Sequence, residues 1–132
     1  MSSTDKSNMR TPLSKVRGLG SAKDGTSHFW RTRLTALANI PLALFFIYFI
    51  ASVAGKSYED ALAFIGNPFV AVTLLLFIIS GVYHMKLGMQ MIIEDYVSGE
   101  KSKILSLMLN VFFASAVGLA CVFSIFKISF GA

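Results

Sequence analysis

Charged residues are scarce in this sequence. Only 14% of its 132 residues are Asp, Glu, Lys or Arg, whereas soluble domains carry about a quarter. Hydrophobic residues make up 55%, and the charges fall in short segments between long uncharged runs. This distribution excludes an ordinary soluble domain and is typical of an integral membrane protein.

Cysteine is nearly absent as well. The single Cys121 excludes an intrachain disulfide and a cysteine-ligated iron–sulfur cluster, and no Rossmann-type glycine pattern is present through which the chain could bind FAD. The first ~25 residues lack the apolar segment of a signal peptide, and Asp5 and Asp24 argue against a mitochondrial transit peptide. We therefore expect a protein of the bacterial inner (cell) membrane.

Three apolar runs predict three transmembrane helices, at about 34–53, 68–93 and 104–126. Each is at least ~20 residues long and so rises ~30 Å or more, the thickness of the hydrocarbon core. Pro41 is expected to kink the first helix, and Pro68 is well placed to begin the second.

The predicted fold is an all-α integral membrane protein packed against a partner anchor subunit. Residues 1–27 form a polar N-terminal tail that glycines keep irregular, and residues 28–132 form the three-helix transmembrane domain. A short interfacial helix is expected in the connection 55–67, and a polar turn at 94–103. Asn39 and Asn110 are expected to bond across helices.

The basic residues predict the orientation of the chain. Seven of them lie before the first span and two in the second connection, nine on one side, while two lie on the opposite side, at Lys56 and Lys127. The positive-inside rule then places the N-terminus in the cytoplasm. The net charge of +5 is explained by this topology and by contact with membrane lipid headgroups, so no nucleic-acid partner is expected.

His84 is the first candidate functional residue, because it lies deep inside the second apolar run. Ionisable groups are rare at that depth, and imidazole readily binds metals, haem iron among them. Gly81 and Gly88 share one helix face and would let a flat macrocycle or another helix come close. Two interpretations stay open: a haem-iron ligand, or a histidine that is hydrogen-bonded to another helix.

Asp95 and Tyr96 follow at the cytoplasmic end of the same helix. Asp95 is eleven residues beyond His84, which on an α-helix is ~20° from three full turns and ~16 Å along the axis. Tyr96 could donate a hydrogen bond to a carbonyl at this interface, with Asp95 orienting it or relaying a proton. The alternative is that Tyr96 belongs to the aromatic belt and that Asp95 is merely solvated.

His28, Arg31 and Arg33 form a cationic cluster before the first span. Arginine pairs with carboxylates in a fork geometry, so haem propionates are one set of partners; lipid phosphates are the other. His28 lies at the membrane surface, ~15 Å from the depth of His84. A second histidine ligand would therefore have to come from another chain.

The segment from His84 to Val97 resembles the H-x-x-x-G-x-x-x-x-x-x-D-Y-V segment of D-type succinate dehydrogenase membrane anchor subunits. Residues 18–36 also look like the N-terminal region of that family in its alphaproteobacterial form. The resemblance covers roughly Val16 to the end of the chain, and its specific part is the motif from the histidine to Asp95 and Tyr96.

The resemblance implies a role for each of these residues. His84 would be an axial ligand of haem b, and the C-type anchor subunit would supply the other. Tyr96 would hydrogen-bond a ubiquinone carbonyl beside Asp95. Arg33, with Arg31 as the alternative, would lie near the haem propionates.

The family also implies partners and a place in metabolism. The flavoprotein and iron–sulfur subunits would dock on the cytoplasmic face. The complex would act in the tricarboxylic acid cycle and in respiratory electron transport. The chain would not be an enzyme on its own but would contribute to the quinone site. Alternatives are a fumarate reductase anchor, or a non-redox small membrane protein in which His84 packs or relays protons.

Overall fold

The computed structural model describes residues 20–131, with side chains from residue 25 onward. This range contains helices and turns without any strand. The helices are α1 (Gly20–Val53), α2 (Tyr58–Ile65), α3 (Pro68–Tyr96) and α4 (Glu100–Ser129). Three of these, α1, α3 and α4, are long and apolar enough to cross a membrane. The predicted all-α class with three spanning helices is therefore confirmed.

The chain divides into two units between Arg31 and Thr32. In the first unit, the rings of Phe29 and Trp30 meet edge to face with centroids 5.9 Å apart. The second unit contains the rest of α1 and the other three helices. The part of the predicted tail at residues 1–19 lies outside the described residues.

Helix α1 begins at Gly20 and runs through Pro41. The expectation of irregular backbone is therefore wrong for residues 20–27. A helical glycine costs only about 1 kcal/mol relative to alanine, and extending an existing helix is far easier than nucleating one. Pro41 lacks an N–H group, so it removes the bond to the Leu37 carbonyl without ending the helix.

The predicted short helix between the first two spans is present as α2. Ser57 caps it: its hydroxyl accepts a hydrogen bond from the Asp60 backbone N–H at 3.2 Å and donates to the Asp60 carboxylate at 2.8 Å. The first bond satisfies one of the backbone donors that an isolated helix end would leave unpaired, and the second orients the Ser57 hydroxyl. Asn67 then caps α3, which begins with Pro68.

The connection between α3 and α4 is only residues 97–99, so the predicted polar turn at 94–103 was too long. The polar residues around it belong to the helix ends. The Lys103 ammonium donates a hydrogen bond to the Glu94 carbonyl at 3.0 Å, which satisfies one of the carbonyls left open at a helix C-terminus. Glu100, in the first turn of α4, is favourably placed against the helix dipole.

A small cluster of apolar side chains joins α1, α3 and α4. Phe49, Ala71, Leu74 and Ile125 are its buried members. Phenylalanine rings extend the cluster between helices, for example the stacked pair Phe46 and Phe77, with centroids 4.5 Å apart. These contacts anchor the end of the helices away from the α3–α4 turn.

Most large apolar side chains point outward. Phe69 is 86% exposed, and Leu34 and Leu119 are each 70% exposed. No large side chain among the described residues is less than 2% exposed. An apolar surface of this extent needs lipid or a partner subunit around it rather than water.

Candidate functional site

His84 lies near the middle of α3, with its side chain half-buried. Its Nδ1 atom is 3.0 Å from the Thr35 hydroxyl oxygen on α1. That hydroxyl in turn donates to the backbone carbonyl of Thr32, at 3.1 Å. The histidine is thus joined to a second helix by a hydrogen bond.

The single proton of the Thr35 hydroxyl allows two hydrogen-bond arrangements with the His84 ring. With that proton directed at the Thr32 carbonyl, the Thr35 oxygen accepts from His84 Nδ1–H, and Nε2 of the neutral ring keeps its lone pair. With that proton directed at Nδ1, the ring proton is on Nε2 instead. The first arrangement is the one in which a hydrogen bond to α1 and a metal ion on Nε2 are compatible.

Gly81 and Gly88 leave space beside this histidine. A Cβ atom added at either glycine would meet no heavy atom within 4 Å among the described residues. Gly81 precedes His84 by three residues and Gly88 follows it by four, so all three share one side of α3. The opening is available to a flat ligand or to another chain.

A second hydrogen bond joins α1 and α3 one turn away. The Ser80 hydroxyl donates to the Asn39 side-chain oxygen at 2.7 Å. Asn39 follows Thr35 by four residues and Ser80 precedes His84 by four, so the two bonds lie one above the other on antiparallel helices. Together they report the register of α1 against α3 at the histidine.

Asn110 joins α4 to α3 at nearly the same level. Its side chain is buried, and its Nδ2 atom donates to the Lys86 carbonyl at 2.9 Å. The predicted interhelical bonding of Asn39 and Asn110 is therefore confirmed. Polar contacts from both α1 and α4 therefore hold α3, the helix that carries His84.

Asp95 and Tyr96 form the last turn of α3, and both are exposed. Tyr96 is 83% exposed. The phenol and carboxylate therefore lie at the surface of this chain, where a ligand or a partner subunit could reach them. The continuous helix from His84 to Asp95 keeps the two positions on one side, ~16 Å apart along the axis.

The cationic residues of α1 fall in different units. His28 and Arg31 belong to the first unit, with His28 half-buried and Arg31 exposed. Arg33 belongs to the second unit and is also exposed. Positions two residues apart on a helix differ by about 200° around its axis, so the side chains of Arg33 and Thr35 lie on opposite sides of α1.

The described side chains, those of residues 25–131, form no cluster that could hold a metal ion. Within them, no group of three or more His, Cys, Asp or Glu residues has the required arrangement. Haem iron is different, because it takes one protein ligand on each side of the macrocycle. Of the two histidines among the described residues, His84 is the one that lies in the middle of an apolar helix.

A family model described as the succinate dehydrogenase/fumarate reductase transmembrane subunit matches residues 7–124. The chain belongs to this family. The resemblance in the sequence to succinate dehydrogenase membrane anchors is thereby confirmed.

Individual members of the anchor family are similar over most of their length. The succinate dehydrogenase hydrophobic membrane anchor subunit of Paracoccus denitrificans is 36% identical over 122 residues, which cover 92% of this chain and 94% of that relative. The corresponding subunit of Rickettsia bellii (strain RML369-C) is 33% identical over 92 residues, covering 70% and 74%. The succinate dehydrogenase membrane anchor subunit of Reclinomonas americana is 33% identical over 90 residues, covering 66% and 75%.

Thr35 is the site residue that the sequence reasoning missed. It stands in the N-terminal segment that resembles the anchor family, but a threonine in a membrane helix has no distinctive pattern. Its spacing could have indicated it: Thr35 and Asn39 are four residues apart on α1, as are Ser80 and His84 on α3, so the two pairs can meet across antiparallel helices.

Proposed function

We propose that this chain is a membrane-anchor subunit of a succinate dehydrogenase, with one axial ligand of haem b and part of the ubiquinone site. The observation that supports this best is the His84 ring. Its Nδ1 atom is engaged by Thr35, its Nε2 atom can bind iron, and the glycines beside it leave open space. Family membership supplies the context of the complex.

The donor set fits a haem shared between subunits. His84 would bind the iron through Nε2 on one side, and a histidine of the C-type anchor subunit would bind it on the other. Gly81 and Gly88 would let the macrocycle lie close to α3. When bound, such a haem accepts and donates single electrons. This chain's own contribution is to hold one ligand in position within a medium of low dielectric constant.

The quinone site would be at the cytoplasmic end of α3. The Tyr96 phenol would donate a hydrogen bond to a ubiquinone carbonyl, and Asp95 would orient it or deliver a proton. Both side chains are exposed in this chain, which fits a pocket completed by other subunits. The continuous helix keeps this pocket on the same side as the haem ligand.

The remaining surfaces would serve assembly and orientation. The outward apolar side chains would contact lipid and the C-type anchor subunit, and the flavoprotein and iron–sulfur subunits would dock on the cytoplasmic face. His28, Arg31 and Arg33 would meet haem propionates, the quinone or lipid phosphates at that level. The chain would cross the bacterial inner membrane three times, with its N-terminus in the cytoplasm.

A fumarate reductase anchor is the second candidate, because the matching family model includes both kinds of complex. The same His84 and Tyr96 chemistry would serve either direction of electron flow. A non-redox membrane protein is disfavoured by membership of this family.

The first test is an optical reduced-minus-oxidised spectrum of the complex co-expressed with its partner subunits. We expect a b-type haem band in the wild type and its loss or shift in His84→Ala. Met85→Leu is the matched control, since it alters the next residue of α3 and should leave the band unchanged. A wild-type haem band that survives unchanged in His84→Ala would contradict the assignment of the ligand.

A further inference from the structure

We propose that Thr35 is the positioning residue for the haem ligand: its hydroxyl holds His84 in the Nδ1–H tautomer and sets the donor strength of Nε2. This proposal rests on the proposed function, since it concerns how His84 meets the iron. It assigns a role to α1 that goes beyond membrane anchoring.

The first step is the direction of the hydrogen bonds. The Thr35 hydroxyl lies 3.1 Å from the Thr32 carbonyl, which can only accept, and 3.0 Å from His84 Nδ1. The proposal requires the arrangement in which Thr35 donates to the Thr32 carbonyl and its oxygen accepts from Nδ1–H. The reverse direction would put the ring proton on Nε2, and that nitrogen would then be unable to bind iron.

The second step is that the hydroxyl is held in place before any ligand binds. Threonine is β-branched, and in a helix its hydroxyl can bond back to a carbonyl of the preceding turn. Apolar packing holds α1 against α3, for example the stacked rings of Phe46 and Phe77, whose centroids are 4.5 Å apart. The acceptor for Nδ1 is therefore supplied by a rigid part of the structure.

The third step is the effect on the bound iron. A metal-binding histidine that donates its other N–H to an acceptor becomes a more basic ligand and keeps one ring orientation. A more basic ligand favours the ferric over the ferrous iron. Removal of the acceptor should therefore move the haem midpoint potential in the positive direction and loosen the bond to the iron.

The test uses the complete complex with three substitutions at Thr35 and one control. Thr35→Val keeps the shape of the side chain without the hydroxyl, Thr35→Ala removes both, and Thr35→Ser restores the hydroxyl. Ser80→Ala is the matched control, because it also deletes one hydroxyl hydrogen bond between α1 and α3 but leaves His84 Nδ1 engaged.

Two measurements are made on each variant: a redox titration of the haem, and the rate of haem transfer to a haem-scavenging apoprotein. We expect Thr35→Val and Thr35→Ala to give a more positive midpoint potential and haem transfer faster on the order of tenfold. Thr35→Ser and Ser80→Ala should match the wild type in both. A purely structural role for Thr35 would instead make Ser80→Ala behave like Thr35→Val.

The outcomes separate this proposal from the proposed function. If His84→Ala keeps the wild-type haem band, the ligand assignment fails and the role of Thr35 fails with it. If His84→Ala loses the band while Thr35→Val and Thr35→Ala keep the wild-type potential and transfer rate, only the Thr35 proposal is overturned. Changes that follow the size of the side chain, with Thr35→Val normal and Thr35→Ala altered, also overturn it.

Discussion

Gly88→Ala should stabilise helix α3 and at the same time weaken haem binding. An added Cβ at Gly88 meets no heavy atom within 4 Å among the described residues. The substitution therefore creates no clash within the part of this chain that the structure describes. Replacing a helical glycine by alanine favours the helix by about 1 kcal/mol, so any loss of haem would arise from the space that the methyl group occupies.

The size of the haem effect follows from close packing. Extra methyl or methylene groups in a filled site typically cost about 1–3 kcal/mol, which corresponds to roughly 5- to 150-fold weaker retention of the group. The loss of haem should be larger in Gly88→Leu than in Gly88→Ala. The assay is the haem-to-protein ratio of the purified complex, with the yield of assembled complex as the measure of folding.

Gly118→Ala is the matched control for this prediction. It makes the same substitution in α4, where the added Cβ would touch Val82 at 3.4 Å, away from the His84 side of α3. We expect a normal haem ratio in this variant. Full haem content in both Gly88→Ala and Gly88→Leu would refute the reasoning that the open side of α3 receives the haem.

Two further predictions concern the proposed quinone site and the packing of the helices. Tyr96→Phe should raise the KM for ubiquinone several-fold, since a lost hydrogen bond costs about 0.5–1.5 kcal/mol. Turnover with a water-soluble electron acceptor that bypasses the quinone should stay normal. An unchanged KM for ubiquinone would contradict the placement of Tyr96 in the quinone site. Asn110→Leu should lower the free energy of unfolding in detergent by about 0.6 kcal/mol, the average for an interhelical hydrogen bond in a membrane protein. A loss above about 3 kcal/mol would show that the bond to the Lys86 carbonyl is more than an ordinary contact.

The helices themselves followed from local properties of the chain. Apolar runs of about 20 residues have to satisfy every backbone group internally within lipid, which leaves the helix as the available structure. Pro68 carried the start signal of α3. The helix ends were harder to predict. The polar residues on either side of 97–99 look like a turn in the sequence but belong to α3 and α4, and Lys103 donates a hydrogen bond to the Glu94 carbonyl.

The candidate site followed only in part from the sequence. His84, Asp95 and Tyr96 stand out because ionisable and polar groups are costly in or beside a membrane, and their helical spacing places them on one side of α3. The roles assigned to them still await the tests above. The partners of Asn39 and Asn110 could not be named, since any of several hydroxyls or carbonyls on the neighbouring helices could have served.

The sequence by itself determined the membrane class, the three spanning helices and the position of His84 inside the second of them. These depend on composition and on spacing along one helix, which the order of residues specifies directly. Only the tertiary structure decided that Thr35 meets His84 and that Ser80 meets Asn39. Those contacts depend on the register between α1 and α3, which is set by packing across 41 to 49 residues of chain, and which no local pattern encodes.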